Sequence, residues 1–248
     1  MLNYLKAEGF KLCRRKYPYV FTAALWLCEL LLLVPVWMIN RETGHNEFSG
    51  MVNILSMLVI LGLFAVVIIS DMVFSDQYKH NTLKNEVSYG LSRSRIYLGK
   101  LCAAILTAVV LAVLIVGFYL ALSWLLMPHG ADTAVAMEGL GWTLLKAFPL
   151  WLGAAGVTMA CYLNIRSNVA ATFAAVGIIA VAPLMLKGFS LVTGTELLYR
   201  LSAFFLLTPF QGAIGRAGNT GFMWLIGMAW LIGSTVVGLL LFRRKEIS

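Results

Sequence analysis

The residues of this chain that could carry chemistry lie mainly in one polar interval, Phe74–Lys100, which interrupts a succession of apolar runs. Basic and acidic side chains alternate there with aliphatic and aromatic ones, a mixed surface typical of a helix that docks into a groove of another protein. The same composition also fits an ordinary solvated loop. The charged residues of the interval are Asp76, Lys79, Lys84, Glu86, Arg93, Arg95 and Lys100, and Tyr78, Leu83, Val87 and Tyr89 lie among them.

Outside this interval the sequence shows no catalytic machinery. It contains no G-x-x-x-x-G-K-[ST] phosphate-binding loop and no H-E-x-x-H zinc motif. An intramembrane enzyme is therefore the least favoured function, and we expect no metal or cofactor bound by this chain. The histidines His45, His80 and His129 all fall in predicted loops. We expect the cysteines Cys13, Cys28, Cys102 and Cys161, which form no C-x-x-C pair, to be small buried hydrophobic residues.

The composition assigns the chain to the all-α integral membrane proteins. Hydrophobic residues make up 60% and charged residues 12% of its 248 residues, whereas a soluble domain has about 25% charged residues. A chain with so few charges could not cover its surface with polar groups in water. The net charge of +8 needs no nucleic acid partner, because lysine and arginine collect in the cytoplasmic loops of membrane proteins.

Six apolar runs reach the length of about 20 residues that a helix needs to cross a bilayer. An amphipathic helix over residues 1–16 is predicted to precede them in the headgroup plane, as an interfacial helix rather than a cleaved signal. Within the polar interval, Gly90 is a candidate C-cap of a short helix and Ser92 a candidate N-cap of the next one. The predicted spans, numbered in chain order, are Tyr19–Ile39, Met51–Val73, Leu101–Leu126, Trp142–Leu163, Val169–Leu186 and Gly221–Phe242.

Residues 187–220, between the last two spans, contain an apolar stretch, Leu197–Phe210, that is too short to cross a membrane. Pro209 interrupts it, and several glycines follow. This pattern predicts short helices that re-enter the outer interface, where protein must cover the irregular backbone. An even number of spans places both termini on one side, and the distribution of basic residues identifies that side as cytoplasmic. That side carries fourteen lysines and arginines against four on the other.

Three charged residues fall in or beside the spans. Glu29 lies near mid-depth of span 1, and it either contributes to a polar path or proton site, or makes a structural hydrogen bond to a neighbouring span. The structural role is the favoured one. Asp71 is expected to lie at the cytoplasmic interface and to pair with a basic residue of the polar interval, a role favoured over a contact with substrate. Lys146, at the start of span 4, is expected to extend its ammonium group to the interface.

The polar interval also carries a family motif. Asp76, Thr82, Leu83 and Lys84 are followed by Ser94, Arg95, Ile96 and Lys100 in a pattern of D-x-x-x-x-x-T-L-K and S-R-x-x-I-x-x-x-K type. Together with the order of interfacial helix, six spans and re-entrant segment, this pattern resembles the permease subunit of type-2 ABC exporters. Asn81 stands where the family often has glycine, a mild departure because asparagine tolerates the left-handed conformation.

The resemblance implies that residues 1–248 form a single permease domain, with residues 74–100 as the coupling loop that sits in a groove of a separate ATP-binding subunit. Two such subunits, which bind the ATP and Mg, and a second permease would complete the assembly, with the substrate path between spans 2 and 5. The coupling residues would be Asp76, Lys79, Thr82, Leu83, Lys84, Glu86, Arg95 and, in the second contact after span 4, Arg166.

The resemblance further implies a bacterial plasma membrane location and, as substrate, a peptide antibiotic or another amphipathic molecule. Relatives of this size are associated with lantibiotic immunity or bacitracin resistance. A membrane binding, scaffold or immunity protein that works without an ATPase is the alternative that the sequence leaves open.

Overall fold

The computed structural model describes residues 2–44, 46–74, 86–88, 90–212, 215 and 218–244. Within these residues the structure is helical, without strands, and six helices are long and apolar enough to cross a membrane. The prediction of an all-α polytopic membrane protein is therefore confirmed. An N-terminal helix, Leu2–Arg14, precedes the spans, as predicted, and Pro18 lies in the first turn of span 1.

The spans extend further than the apolar runs that predicted them. Spans 3 and 4 begin at Arg93 and Thr133 rather than at Leu101 and Trp142, because polar and small residues continue each helix beyond its apolar part. The observed bounds are Tyr17–Thr43 for span 1, Phe48–Phe74 for span 2, Arg93–Leu126 for span 3, Thr133–Asn164 for span 4, Asn168–Thr193 for span 5 and Thr220–Arg244 for span 6.

Spans 2 and 5 depart from regular α-helix near the middle of their length. In span 2 a 3-10 turn, Val59–Leu61, separates the helices Phe48–Leu58 and Gly62–Phe74. In span 5 a π-helical segment, Gly177–Val181, separates Asn168–Val176 from Ala182–Thr193. Such irregular turns inside helices often mark hinges or functional sites.

Trp151 of span 4 packs directly against the irregular turn of span 2. A Cβ atom added at Gly62 would overlap its indole ring. The indole nitrogen is buried, and it finds no hydrogen-bond partner within the described part of the chain. The ring of Trp151 therefore lies between spans 4 and 2.

Span 4 is the central helix of the bundle. Two-thirds of its most apolar window, 67%, is buried, against 11% for span 1. Span 6 packs along it so closely that Gly227 touches the carbonyl group of Pro149, and Gly238 lies against Ala160 and the Tyr97 hydroxyl. Small residues allow such backbone approach in membranes, where packing rather than the hydrophobic effect holds helices together.

Short helices follow span 5, as predicted, at Glu196–Ser202 and Leu207–Gln211. The first packs on the last helix of span 5, and the second reaches span 4 and the 3-10 turn of span 2, where the Phe210 side chain is fully buried. The short segment is thus covered by protein on its inner side, as an irregular backbone near a membrane requires.

The cysteines do not follow their prediction. Cys13 and Cys28 are exposed, and Cys102 and Cys161 are only partly buried. The apolar runs in which they lie face outwards at these positions, where lipid rather than protein would surround a span. Hydrophobic surroundings in the sequence of a membrane protein therefore do not imply burial in its protein core.

The close contact of spans 4 and 6 gives a test of the packing. A Gly227→Ala variant should lose roughly 1–3 kcal/mol of unfolding free energy, because its methyl group overlaps backbone that cannot move aside cheaply. Gly233→Ala, in the same helix but with nothing within 4 Å of its added methyl group, should leave the thermal unfolding midpoint in detergent unchanged. Equal effects of the two substitutions would contradict this packing.

Candidate functional site at the basic end

Arginine side chains join several helices at one end of the bundle, here called the basic end. There the N-terminal helix packs on the end of span 2 and the start of span 3, and the end of span 6 lies beside the start of span 3. Arg15 donates to the Met72 carbonyl in the last turn of span 2, at 2.7 Å. Arg93 donates to the carbonyls of Phe242 and Arg243 in the last turn of span 6, at 3.0 and 2.8 Å. The final carbonyls of a helix lack intrahelical partners and carry partial negative charge, so a guanidinium group stabilises them.

A buried ion cluster connects the N-terminal helix to the polar interval and to span 3. The Lys11 ammonium group donates to Glu8 Oε1 at 2.7 Å and to Glu86 Oε1 at 3.5 Å. The Lys100 ammonium group lies 3.5 Å from Glu8 Oε1 and 3.7 Å from Glu86 Oε1. Tyr4 donates its hydroxyl to Glu86 Oε2 at 3.0 Å.

Burial makes this ion cluster, formed by Tyr4, Glu8, Lys11, Glu86 and Lys100, more than a surface feature. The Lys100 side chain is 0% exposed, Glu8 2% and Glu86 13%, whereas Lys11 is 50% exposed. The two carboxylates and two ammonium groups balance in charge. Removing one partner of a buried ion pair leaves an uncompensated charge, which is strongly destabilising. The cluster therefore depends on the balance between its carboxylates and its ammonium groups.

The protonation of Tyr4 and Lys11 suits their roles as donors in the ion cluster. Burial, together with the charges of Glu8 and Glu86, raises the pKa of Tyr4 far above its ordinary value, so its hydroxyl keeps its proton. Burial alone lowers the pKa of Lys11, but the hydrogen bond to Glu8 and the two carboxylate charges outweigh it and raise the pKa overall. Both groups thus remain hydrogen-bond donors across the neutral range.

Gly99 allows the Tyr4 ring to reach the ion cluster. A Cβ atom at this position would overlap that ring. The Lys100 ammonium nitrogen lies over the Tyr4 ring, 5.8 Å from the ring centroid, which is within the range of a cation–π contact. The sequence of span 3 thus places a glycine and a lysine side by side to receive the N-terminal helix.

A defined helix end separates Glu86 from span 3. Gly90 takes the left-handed conformation at φ 83°, its N–H donates to the Val87 carbonyl at 3.0 Å, and the Leu91 N–H donates to the Glu86 carbonyl at 3.3 Å. These two bonds form a Schellman motif, which ends a helix. Ser92 then takes the N-cap position of span 3 in extended conformation, although its side chain makes no capping bond. The predictions for Gly90 and for the position of Ser92 are confirmed.

The structure describes only some of the predicted coupling residues. Glu86 belongs to the ion cluster, Arg95 is exposed in the first turn of span 3, and Arg166 is exposed in the turn between spans 4 and 5. The structure brings Glu86 to the N-terminal helix. The predicted residues Asp76, Lys79, Thr82, Leu83 and Lys84 lie outside the described residues.

The turn after span 4 is also fixed to its neighbours. Asn164 donates to the Gly238 carbonyl of span 6 at 3.0 Å, and Asn168 donates to the Asp71 carboxylate of span 2 at 3.4 Å. Asp71 thus has an asparagine partner from this turn, and its predicted pairing with a basic residue of the polar interval, much of which lies outside the described residues, stays a prediction. The turn links spans 2, 4, 5 and 6 at the basic end.

Glu29 lies in span 1, close enough to Tyr119 of span 3 for an electrostatic interaction. Its Oε2 atom is buried, and it accepts no hydrogen bond within the part of the chain that the structure describes. The favoured structural role, a hydrogen bond to a neighbouring span, is therefore absent for this oxygen. Tyr119 instead donates its hydroxyl to the Met51 carbonyl of span 2, at 3.1 Å.

Lys146, at the opposite end of the bundle, does not extend to the interface as predicted. Its side chain is fully buried rather than extended to the interface, and its ammonium group donates to the Gly215 carbonyl at 2.6 Å. The Gly215 N–H donates in turn to the Thr143 hydroxyl at 2.8 Å. Gly218 has a φ of 99°, a backbone conformation that residues with a side chain rarely adopt. A Cβ atom added at Gly218 would lie 2.8 Å from the Gly212 carbonyl oxygen. Lys146 therefore anchors the segment before span 6 to span 4.

Replacing Lys146 should loosen this anchor. Lys146→Met keeps the length of the side chain but leaves the Gly215 carbonyl without its charged donor, which costs roughly 1–3 kcal/mol for a buried group. The thermal unfolding midpoint in detergent should fall by several degrees. Lys187→Met, which removes an exposed bond to Gln211, should have almost no effect, and an equal fall in both variants would contradict the anchoring role.

Sequence reasoning missed Tyr4, Glu8 and Lys11 as members of a site. One signal was available: Glu8 lies one helical turn from Leu12 and from Tyr4, on the side of the helix whose Leu12 side chain is buried. A carboxylate on the apolar side of an amphipathic helix requires a buried cationic partner. The described residues contain no group of three or more histidine, cysteine, aspartate or glutamate residues that could hold a metal ion.

A comparison with models of protein families shows the family to which the chain belongs. A family model described as "ABC-2 family transporter protein" matches residues 4–181, which is well over half of the chain. The chain belongs to the ABC-2 transporter family. A search of curated proteins found no match. As an ABC-2 family member the chain is a multi-pass permease subunit of an ABC transporter, and the family implies an ABC ATPase as its partner. The matched range begins at Tyr4 and includes the whole ion cluster.

Proposed function

We propose that this chain is the permease subunit of an ATP-driven exporter in a bacterial plasma membrane, with the basic end and both termini on the cytoplasmic side. The excess of lysine and arginine at that end supports the orientation. Two copies of a separate ATP-binding subunit would bind and hydrolyse ATP with Mg. Residues 74–100 and the turn at Arg166 would make the contacts with them.

The observation that carries this proposal is the ion cluster, because it ties the polar interval to the helices that cross the membrane. Glu86 is joined to the N-terminal helix by Tyr4 and Lys11, and to span 3 by Lys100. Span 3 is joined in turn to the end of span 6 by Arg93. A displacement of the polar interval by an ATPase would therefore reach spans 3 and 6 through charged contacts rather than through a slack loop.

The mechanism assigns no chemical step to this chain. An ATPase shifts the balance between inward-open and outward-open permease only if it binds the two states with different free energy. A coupling segment fixed to several spans supplies that difference, because each state of the spans presents the segment in a different place. The energy would come from ATP hydrolysis on the partner subunit, and the residues of the permease would hold the coupling segment in place and pass its displacement to the spans.

The substrate path would run between spans 2 and 5 of this permease and of a second one, identical or related. The irregular turns at Val59–Leu61 and Gly177–Val181 support the choice of these spans, since such turns let a helix bend without losing its neighbours. We propose a peptide antibiotic of the lantibiotic or bacitracin type, or another amphipathic molecule, as the substrate. Glu29 would offer such a molecule a polar contact beside an otherwise apolar path.

Co-purification tests the ATPase contact. The permease, expressed together with a candidate ABC ATP-binding subunit from the same organism, should carry that subunit through affinity purification in mild detergent. Lys84→Glu should release the subunit, because charge reversal in a docking surface costs several kcal/mol. Arg200→Glu reverses an exposed charge between spans 5 and 6 and should retain it.

Two results of this experiment would contradict the proposal. One is purification of the wild-type permease alone under these conditions with an ATP analogue present, which would favour a binding or immunity protein that works without an ATPase. The other is equal retention of the ATPase by the Lys84→Glu variant and by the wild-type chain.

The substitution Glu29→Gln tests whether Glu29 contributes to the substrate path. The substitution removes the charge and keeps the shape, so expression and ATPase binding should be unchanged, while export measured as resistance of the host to the antibiotic should fall. Thr22→Val, which removes a hydroxyl that bonds only within its own helix, serves as the control in the same span. Full resistance with Glu29→Gln would remove Glu29 from the path.

A further inference from the structure

The N-terminal helix does more at the basic end than the amphipathic pattern of its sequence suggests. Its inner side, which carries Leu12, Glu8 and Tyr4, packs on spans 2 and 3, while Phe10 and Lys6 on its outer side are exposed. An amphipathic helix that only rests on lipid has no reason to bury a carboxylate, because a buried charge without a partner is costly. Glu8 is nevertheless almost fully buried, between Lys11 and Lys100.

The contact of Glu8 with Lys100 joins elements that are far apart in the chain. Glu8 lies on the N-terminal helix, Lys100 on the first turns of span 3, and Glu86 on the helix that ends at Gly90. Within the described part of the chain, the Glu86 carboxylate contacts residues from the other two elements, namely Tyr4, Lys11 and Lys100. Its position is therefore set by the N-terminal helix at least as much as by span 3.

We infer that the N-terminal helix is a positioning element for the coupling segment: the buried pair of Glu8 and Lys100 holds Glu86, and with it the helix end at Gly90, in the place from which the segment meets its partner. Glu8 and Lys100 act through Glu86 and are positioning residues. The inference rests on the proposed coupling function for its consequence in transport, but the positioning itself is a property of the permease alone.

Amide hydrogen exchange of the purified permease in detergent tests the positioning without any ATPase. The N–H groups of Gly90 and Leu91 are the probes, because they donate to the carbonyls of Val87 and Glu86 and so form the helix end that contains Glu86. Glu8→Gln leaves the ion cluster with one excess positive charge, so exchange of these two amides should rise by about tenfold or more. Lys6→Met, which removes an exposed charge from the same helix, should leave the exchange unchanged.

A second substitution separates charge pairing from general damage. Lys100→Met alone leaves an excess negative charge and should also speed exchange, but the double variant Glu8→Gln/Lys100→Met is balanced again through Glu86 and Lys11. Its exchange at Gly90 and Leu91 should be slower than in either single variant, and non-additivity of this kind identifies residues that interact directly. If Glu8→Gln does not purify, the comparison of Lys100→Met with the double variant decides in the same way.

The outcomes are distinct for the two proposals. Exchange in Glu8→Gln equal to that in Lys6→Met, or exchange in the double variant at least as fast as in the single variants, overturns the positioning role. In the complex, Glu8→Gln should reduce ATPase retention and the double variant should recover part of it. If the wild-type permease retains no ATPase, the proposed function fails, while the exchange experiment still decides whether Glu8 and Lys100 position the segment.

Discussion

The attraction between the buried Glu8 carboxylate and the buried Lys100 ammonium group is the interaction on which the basic end depends. Neither charge can face lipid or remain alone inside the protein, and each lies beside the other, with Lys11 as a second partner of Glu8 and Glu86 as a second partner of Lys100. The N-terminal helix is thereby held against span 3, and Glu86 is drawn to the same place. The arginines that bind the final carbonyls of spans 2 and 6 then extend this connection around the bundle.

The two ends of the bundle are held by different chemistry. At the basic end, charged groups from separate elements bind one another, and at the opposite end a single buried lysine binds the backbone of the segment before span 6. Between the ends lie the irregular turns of spans 2 and 5. The irregular turns of these spans thus lie between two ends at which charged side chains join separate segments of the chain.

Much of the fold followed from the sequence, because a membrane permits little besides apolar helices of sufficient length. The six spans, the short helices before span 6 and the helix end at Gly90 all come from such local rules. The ion cluster did not, since its members are contributed by residues 4–11, 86 and 100 and no periodicity relates them. Lys146 and the cysteines were misplaced for a related reason: hydropathy gives depth in the membrane, but it does not say whether a side chain faces protein or lipid.

Amine cross-linking of native membranes, followed by mass spectrometry, tests most directly whether the ATPase acts at the basic end. Lys6 and Lys16 are exposed there, and Lys187 lies at the other end of the bundle, near Gln211. If the ATPase binds at the basic end, we expect cross-links from the ATP-binding subunit to Lys6 or Lys16 and none to Lys187. Cross-links to Lys187 with none to the basic end would contradict binding at the basic end.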